Sequence, residues 1–139
     1  LEEGEGLGEV DVDDFCNYLM EMDGKTAADF EITRFAYGRG NYQRLEIYGS
    51  KGAVVYTLDA KAPGVDEIEV CIGPVVGRAG SFTTIPIPEK YRADQMQSFA
   101  DILNDTGDGM AATIKEGCHI QHALESIIRS AEEEKWLPV

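Results

Sequence analysis

The chain has little positive charge. Its 139 residues include 12 Lys and Arg against 26 Asp and Glu, so the formal net charge is −14. Nucleic acids and anionic membrane surfaces carry charge of the same sign and would be repelled before any contact formed. We therefore predict neither nucleic acid nor a membrane as a partner.

The chain also lacks long apolar runs and paired cysteines. No stretch approaches the roughly 18 consecutive apolar residues of a membrane-spanning helix, and no signal-peptide pattern opens the sequence. The cysteines are odd in number and widely spaced, at Cys16, Cys71 and Cys118. This spacing does not suit a disulfide framework, so we predict a reduced, cytoplasmic protein. Because the first residue is Leu rather than Met, we expect a piece of a longer protein.

Motifs for nucleotide binding, metal binding and catalysis are missing as well. No segment reads GxGxxG or GxxxxGK, and the glycine pairs within residues 38–40 and 49–52 lie between predicted strands, where turns explain them. His119 and His122 lie three residues apart on a predicted helix, but no HExxH motif or CxxC pair accompanies them to complete a zinc site. We predict no catalytic, cofactor-binding or metal-binding residue in this chain.

Up to Pro88, the sequence contains a series of strand patterns separated by turns. The central one is the hairpin around Gly49-Ser50-Lys51-Gly52, for which we predict a type I turn followed by a bulge with Gly52 in the left-handed position. Six strands are predicted from the alternation of apolar and polar residues, at residues 14–22, 26–37, 42–48, 53–58, 67–72 and 81–85.

The first of these strands has a competing interpretation. Its apolar residues also fit a helical stripe, but Asp23-Gly24 is typical of a type I′ hairpin turn, in which both corners need positive φ. The turn chemistry favours a hairpin formed by residues 14–22 and 26–37.

After Pro88 the period of the apolar residues becomes helical. It runs from Met96 to Leu103, and Thr113 with Glu116 forms a capping-box pattern that predicts a second helix to about residue 131. Strands followed by helices indicate an α+β fold: an open, predominantly antiparallel sheet (a meander) with helices packed on one face. Residues 1–10 are predicted as a flexible lead-in, and residues 11–139 as a single domain.

Four side chains are notable on the sheet face predicted to lie away from the helices. They are charged or aromatic and lie on neighbouring strands: Arg34, Arg44, Glu46 and Tyr48. Plain exposure to solvent explains such residues, and so does a wet subunit interface, where Arg and Tyr are enriched. We predict these four residues as interface candidates.

Several segments together resemble the C-terminal domain of the Gfo/Idh/MocA oxidoreductases. The segments, which occur in the same order, are VDDF at 12–15, EIYGSKGA at 46–53, QSFAD at 97–101, residues 116–127, and SAEEEKW at 130–136. The resemblance covers nearly all of residues 10–139. It implies a larger enzyme in which an N-terminal Rossmann domain binds NAD or NADP and this domain follows.

The resemblance also implies a function. Such enzymes oxidise or reduce a sugar, inositol or related polyol by hydride transfer, with a catalytic Lys in a Glu-Lys-Pro motif and partner Asp and His residues. None of these motifs is present here, and Glu89-Lys90-Tyr91 lacks the proline. The chain is thus interpreted as a domain that shapes the substrate side and, through its open sheet face, a homodimer or tetramer interface. The alternative is a stand-alone acidic α+β binding or oligomerisation module with no enzymatic activity.

Overall fold

The chain folds into two compact units that divide after Gly38. The structure, a computed structural model, describes residues 11–23, 25–73, 80–92 and 94–139. The units are Leu1–Gly38 and Arg39–Val139. The predicted lead-in at residues 1–10 lies outside the described residues, and the single domain over residues 11–139 stays a prediction.

The first unit contains one antiparallel hairpin. Strand β1 (Phe15–Met22) pairs with β2 (Thr26–Thr33) along its whole length. On one face of the hairpin, the rings of Tyr18 and Phe30 stack with their centroids 4.6 Å apart. The predicted hairpin is confirmed, and the competing helical interpretation of this segment is wrong.

The turn of this hairpin matches the predicted type I′ turn only in part, because Met22 pairs with Thr26 and three residues rather than two lie between the paired strands. Asp23 has φ 51°, which is the left-handed conformation expected at a corner of a type I′ turn. The backbone N–H of Lys25 donates a hydrogen bond to the carbonyl of Met22 at 3.1 Å. The other predicted corner, Gly24, lies outside the described residues.

The second unit begins with a four-stranded antiparallel sheet. Its strands pair in chain order and are β3 (Gln43–Gly49), β4 (Gly52–Leu58), β5 (Glu67–Ile72) and β6 (Thr83–Ile85). This meander, followed by helices, confirms the predicted α+β class. Among the described residues the six strands form two sheets, of two and four strands. A local turn ends β2, where the N–H of Phe35 donates to the Thr33 hydroxyl at 3.0 Å.

The pairing register assigns the side chains of the larger sheet to two faces, because antiparallel partners point to the same side. The polar face carries Arg44, Glu46, Tyr48, Ala53, Val55, Thr57, Glu67, Glu69 and Cys71. The apolar face carries Leu45, Ile47, Val54, Tyr56, Ile68, Val70 and Ile85. The most buried positions lie on the polar face, where Val55 is 2% and Thr57 6% exposed.

The turn between β3 and β4 differs from the prediction. Gly49 pairs with Gly52, so the loop is only Ser50 and Lys51, and the ladder continues without an extra residue. The predicted bulge at Gly52 is therefore wrong. Strand β5 pairs with β4 as far as Gly52, and an unpaired residue there would break that second ladder. Gly52 has φ 153°, and a Cβ at this position would clash with the carbonyl oxygen of Cys71.

The first helix follows a short 3-10 turn at Glu89–Tyr91. Helix α1 (Gln95–Leu103) begins after Asp94, whose carboxylate accepts a hydrogen bond from the N–H of Gln97 at 2.9 Å. This cap satisfies one of the free amides at the start of the helix. The helix ends at Asn104, whose side chain donates to the carbonyl of Ala100 at 2.9 Å.

Helix α2 (Ile114–Glu133) begins with the predicted capping box. The Thr113 hydroxyl accepts from the N–H of Glu116 at 3.4 Å, and the Glu116 carboxylate accepts from the N–H of Thr113 at 2.7 Å. The capping box is confirmed. Neither described helix combines the length and apolar character needed to cross a membrane.

The C-terminal tail returns along α2. Glu134 takes the left-handed conformation with φ 52° and ends the helix. Two helix hydroxyls then hold the tail: Ser130 donates to the carbonyl of Lys135 at 2.6 Å, and Ser126 donates to the carbonyl of Pro138 at 3.4 Å. Ser126 is only 6% exposed.

Candidate interface on the polar face of the sheet

Three of the four predicted interface residues meet on the polar face. Arg44, Glu46 and Tyr48 alternate along β3 and therefore point to the same side. The Glu46 carboxylate accepts one hydrogen bond from the Arg44 guanidinium and another from the Tyr48 hydroxyl. We call these three residues the β3 network.

The β3 network shifts the pKa values of its members. The hydrogen bond from Tyr48, followed by the one from Arg44, lowers the pKa of Glu46. The bond to Glu46 is also the largest cause of the raised pKa values of Arg44 and Tyr48. These bonds favour the charged forms of Glu46 and Arg44. Because they are exposed to water, such a pair contributes little stability to the isolated surface.

The β3 network is anchored to the neighbouring strand. A guanidinium nitrogen of Arg44 lies 3.5 Å from the hydroxyl of Thr57 on β4. Val55 lies between Glu46 on β3 and Glu69 on β5 in the pairing register, and it is almost completely buried. The charged side chains thus surround a small apolar centre, which is also the arrangement of many protein interfaces.

Strand β5 adds carboxylates to the same face. Glu67 forms an ion pair with Lys61, and its hydrogen bond is the largest cause of the raised pKa of that lysine. Glu69 has no ion-pair partner among the described residues. The polar face therefore offers both paired charges and an acceptor that remains free in the described part of the chain.

Arg34, the fourth predicted residue, lies in the first unit. It follows β2, and its backbone N–H donates to the carbonyl of Asp14 at 2.9 Å. Its guanidinium lies 3.8 Å from the Asp14 carboxylate, and 72% of its side chain is exposed. The structure therefore does not place Arg34 on the sheet that carries the β3 network. An interface role for all four residues stays a prediction.

Sequence reasoning missed two residues beside the β3 network. The guanidinium carbon of Arg39 lies 4.0 Å from the ring centroid of Tyr42, a cation–π contact. The Tyr42 side chain also contributes to the raised pKa of Arg44. The sequence did contain a signal for this cluster, because residues 34–44 hold three Arg and no acid in a chain with 26 Asp and Glu.

A second polar pair was also missed, and it lies on the apolar face. The hydroxyl of Tyr56 donates to Oδ2 of Asp66 at 3.1 Å. Burial, then the bond to Asp66, raises the pKa of Tyr56. The other carboxylate oxygen of Asp66 is buried and has no hydrogen-bond partner among the described residues.

The two histidines lie on the predicted helix and not on the sheet that carries the β3 network. Cys118, His119 and His122 all lie on α2, and each is exposed. In the described ranges, no group of three or more His, Cys, Asp or Glu side chains is arranged to hold a metal ion. A cavity of about 970 Å³ lies beside α1, the loop that follows it and the start of α2. Acidic and basic side chains line it, together with His119.

The described geometry is that of an α+β domain with an open antiparallel sheet and a hydrogen-bonded polar face. The chain belongs to the oxidoreductase family of the Gfo/Idh/MocA type, whose C-terminal alpha/beta domain it matches over residues 2–139. This match confirms the resemblance found in the sequence.

A curated relative is levoglucosan dehydrogenase from Pseudarthrobacter phenanthrenivorans. The two sequences are 26% identical over 155 aligned positions, which cover 98% of this chain and 39% of the relative. The chain thus spans well under half of that protein's length. No solved structure matches the chain significantly.

Proposed function

We propose that this chain is the C-terminal domain of an NAD(P)-dependent oxidoreductase that acts on a sugar, inositol or related polyol. The observation that carries the proposal is the family match over residues 2–139. The similarity to a dehydrogenase named for levoglucosan, a sugar derivative, supports the substrate class. An α+β fold by itself defines no chemistry, so membership of the family is the basis of the argument.

Cofactor binding belongs to another part of this enzyme. A dinucleotide is held where a glycine-rich loop joins a strand to the start of a helix, so that backbone amides and the helix dipole meet the pyrophosphate. The Gly49–Gly52 turn of this chain instead joins two antiparallel strands. This turn therefore does not fit the pyrophosphate of NAD or NADP, and we assign this domain no step of hydride transfer.

The role of this domain is to form a wall of the substrate site and a contact between subunits. Hydride transfer requires a carbinol carbon to be positioned against the nicotinamide ring and a base to take the hydroxyl proton. A rigid sheet beside the cofactor domain suits the first requirement, because sites supported by strands are held precisely. The proton acceptor is proposed to be the Lys of a Glu-Lys-Pro motif outside this chain.

We propose the polar face as the surface through which two or four copies associate. Arg44 and Tyr48 are of residue types enriched at interfaces, and their shared bonds to Glu46 hold them in one arrangement before binding. The formal charge of −14 disfavours unspecific contact between copies. Association then depends on local pairing of opposite charges, for which the polar face supplies both signs.

With three free cysteines, the cytoplasm is the proposed location.

The enzyme activity is tested with the complete protein that contains this chain. We expect the complete protein to oxidise or reduce at least one compound in a panel of sugars, inositols and other polyols. Turnover is measured as a change in the absorbance of the reduced nicotinamide. Replacing the Lys of its Glu-Lys-Pro motif should abolish this turnover while leaving cofactor binding intact. A reading frame without a dinucleotide-binding fold would overturn the proposal and support the stand-alone binding module. A complete enzyme that turns over no polyol with either cofactor would also refute the proposed substrate class.

A further inference from the structure

We draw no further inference here: the strongest candidate, the apolar face of the four-stranded sheet around Leu45, Ile47 and Val54, leaves these side chains 53%, 55% and 41% exposed, but nothing in the structure shows what covers it.

Discussion

At the scale of the residue, the polar face depends on side-chain alternation along β3, which brings Arg44 within reach of Glu46. Reversing the charge with Arg44→Glu places two carboxylates side by side and removes the donor that spans to Thr57. If the polar face is the subunit contact, the dissociation constant of the oligomer should rise by about tenfold or more, because charges buried together lose their pairing. Sedimentation velocity over a concentration series measures this change.

A matched control for this variant is Arg129→Glu. Arg129 pairs with Glu133 on the exposed side of α2, at 3.0 Å, so the substitution makes the same change in charge and also breaks a surface ion pair. We expect it to leave the dissociation constant unchanged. Equal weakening by both variants would assign the effect to net charge, and a monomeric wild-type protein at high concentration would refute the interface.

Gly52 allows a second test of a single residue. In Gly52→Ala the added Cβ would meet the Cys71 carbonyl, and φ 153° is unfavourable for any residue with a side chain. We expect a loss of about 1–3 kcal/mol in the free energy of unfolding, measured by urea denaturation. Gly40→Ala is the control, since nothing lies within 4 Å of its added Cβ. Equal stability of the two variants would contradict the close approach of β5.

Single residues also show which parts of the candidate site could be predicted from the sequence alone. The grouping of Arg44, Glu46 and Tyr48 follows from a period of two along one strand, which is local information. The place of Arg34 depends on which strands share a sheet, and no local pattern carries that. The bulge at Gly52 was predicted wrongly for the same reason, because the controlling contact comes from β5, far away in the sequence.

At the scale of the element, α2 depends on its capping box. Thr113→Ala removes the hydroxyl that accepts from the N–H of Glu116, which should cost about 1 kcal/mol of stability. Thr113→Ser keeps a hydroxyl and should retain most of the stability that Thr113→Ala loses. Thermal unfolding followed by circular dichroism compares the three proteins. An alanine variant as stable as the serine variant would show that the cap contributes nothing.

The same cap predicts a dependence on pH. Hydrogen bonds from the backbone and then the hydroxyl of Thr113 lower the pKa of Glu116 below its ordinary value of 4.5. A carboxylate with a lowered pKa in the folded state stabilises the fold above its unfolded-state pKa, and this stabilisation is lost as the pH falls through the folded value. Thr113→Ala removes the hydroxyl bond but keeps the larger contribution of the backbone N–H, so its stability should decrease slightly less on acidification than that of the wild type. Parallel pH profiles of the melting temperature would contradict this coupling.

Most elements were predictable because their signals are short in range. The capping box and the hairpin of β1 and β2 follow from a few adjacent residues, and both are present. The division of six strands into two sheets was not predictable, because the pairing of β-strands is decided by contacts distant in sequence. The Tyr56–Asp66 pair was missed for the same reason. Asp66 lies after the turn that follows β4, so no periodic pattern along one strand relates it to Tyr56.

At the scale of the whole molecule, the segment between the two compact units should be the first site of proteolysis. Phe35 and Tyr37 precede the division after Gly38 and are 71% and 105% exposed. Aromatic residues within strands are less accessible to a protease, because cleavage needs a free, extended backbone. Brief chymotrypsin digestion with mass spectrometry should find the earliest cut after one of these two residues.

The control for this digestion replaces both aromatic side chains by serine. This variant should lose the early cut but keep the later ones. An earliest cut within β3 or β4 would contradict the expected protection of the sheet. At this scale the sequence supplied the family and the fold class, but the boundary after Gly38 was not predicted, although residues 34–44 differ from the rest of this acidic chain in holding three Arg and no acid.

The C-terminal tail, which is hydrogen-bonded to Ser126 and Ser130 of α2, contains a natural fluorescent probe. Trp136 is the only tryptophan of the chain, and it lies in this tail with 68% of its surface exposed. Its fluorescence should therefore follow release of the tail from α2 and respond little to changes in the sheet. Trp136 emission and circular dichroism recorded on the same sample would distinguish release of the tail at the end of α2 from unfolding of the strands.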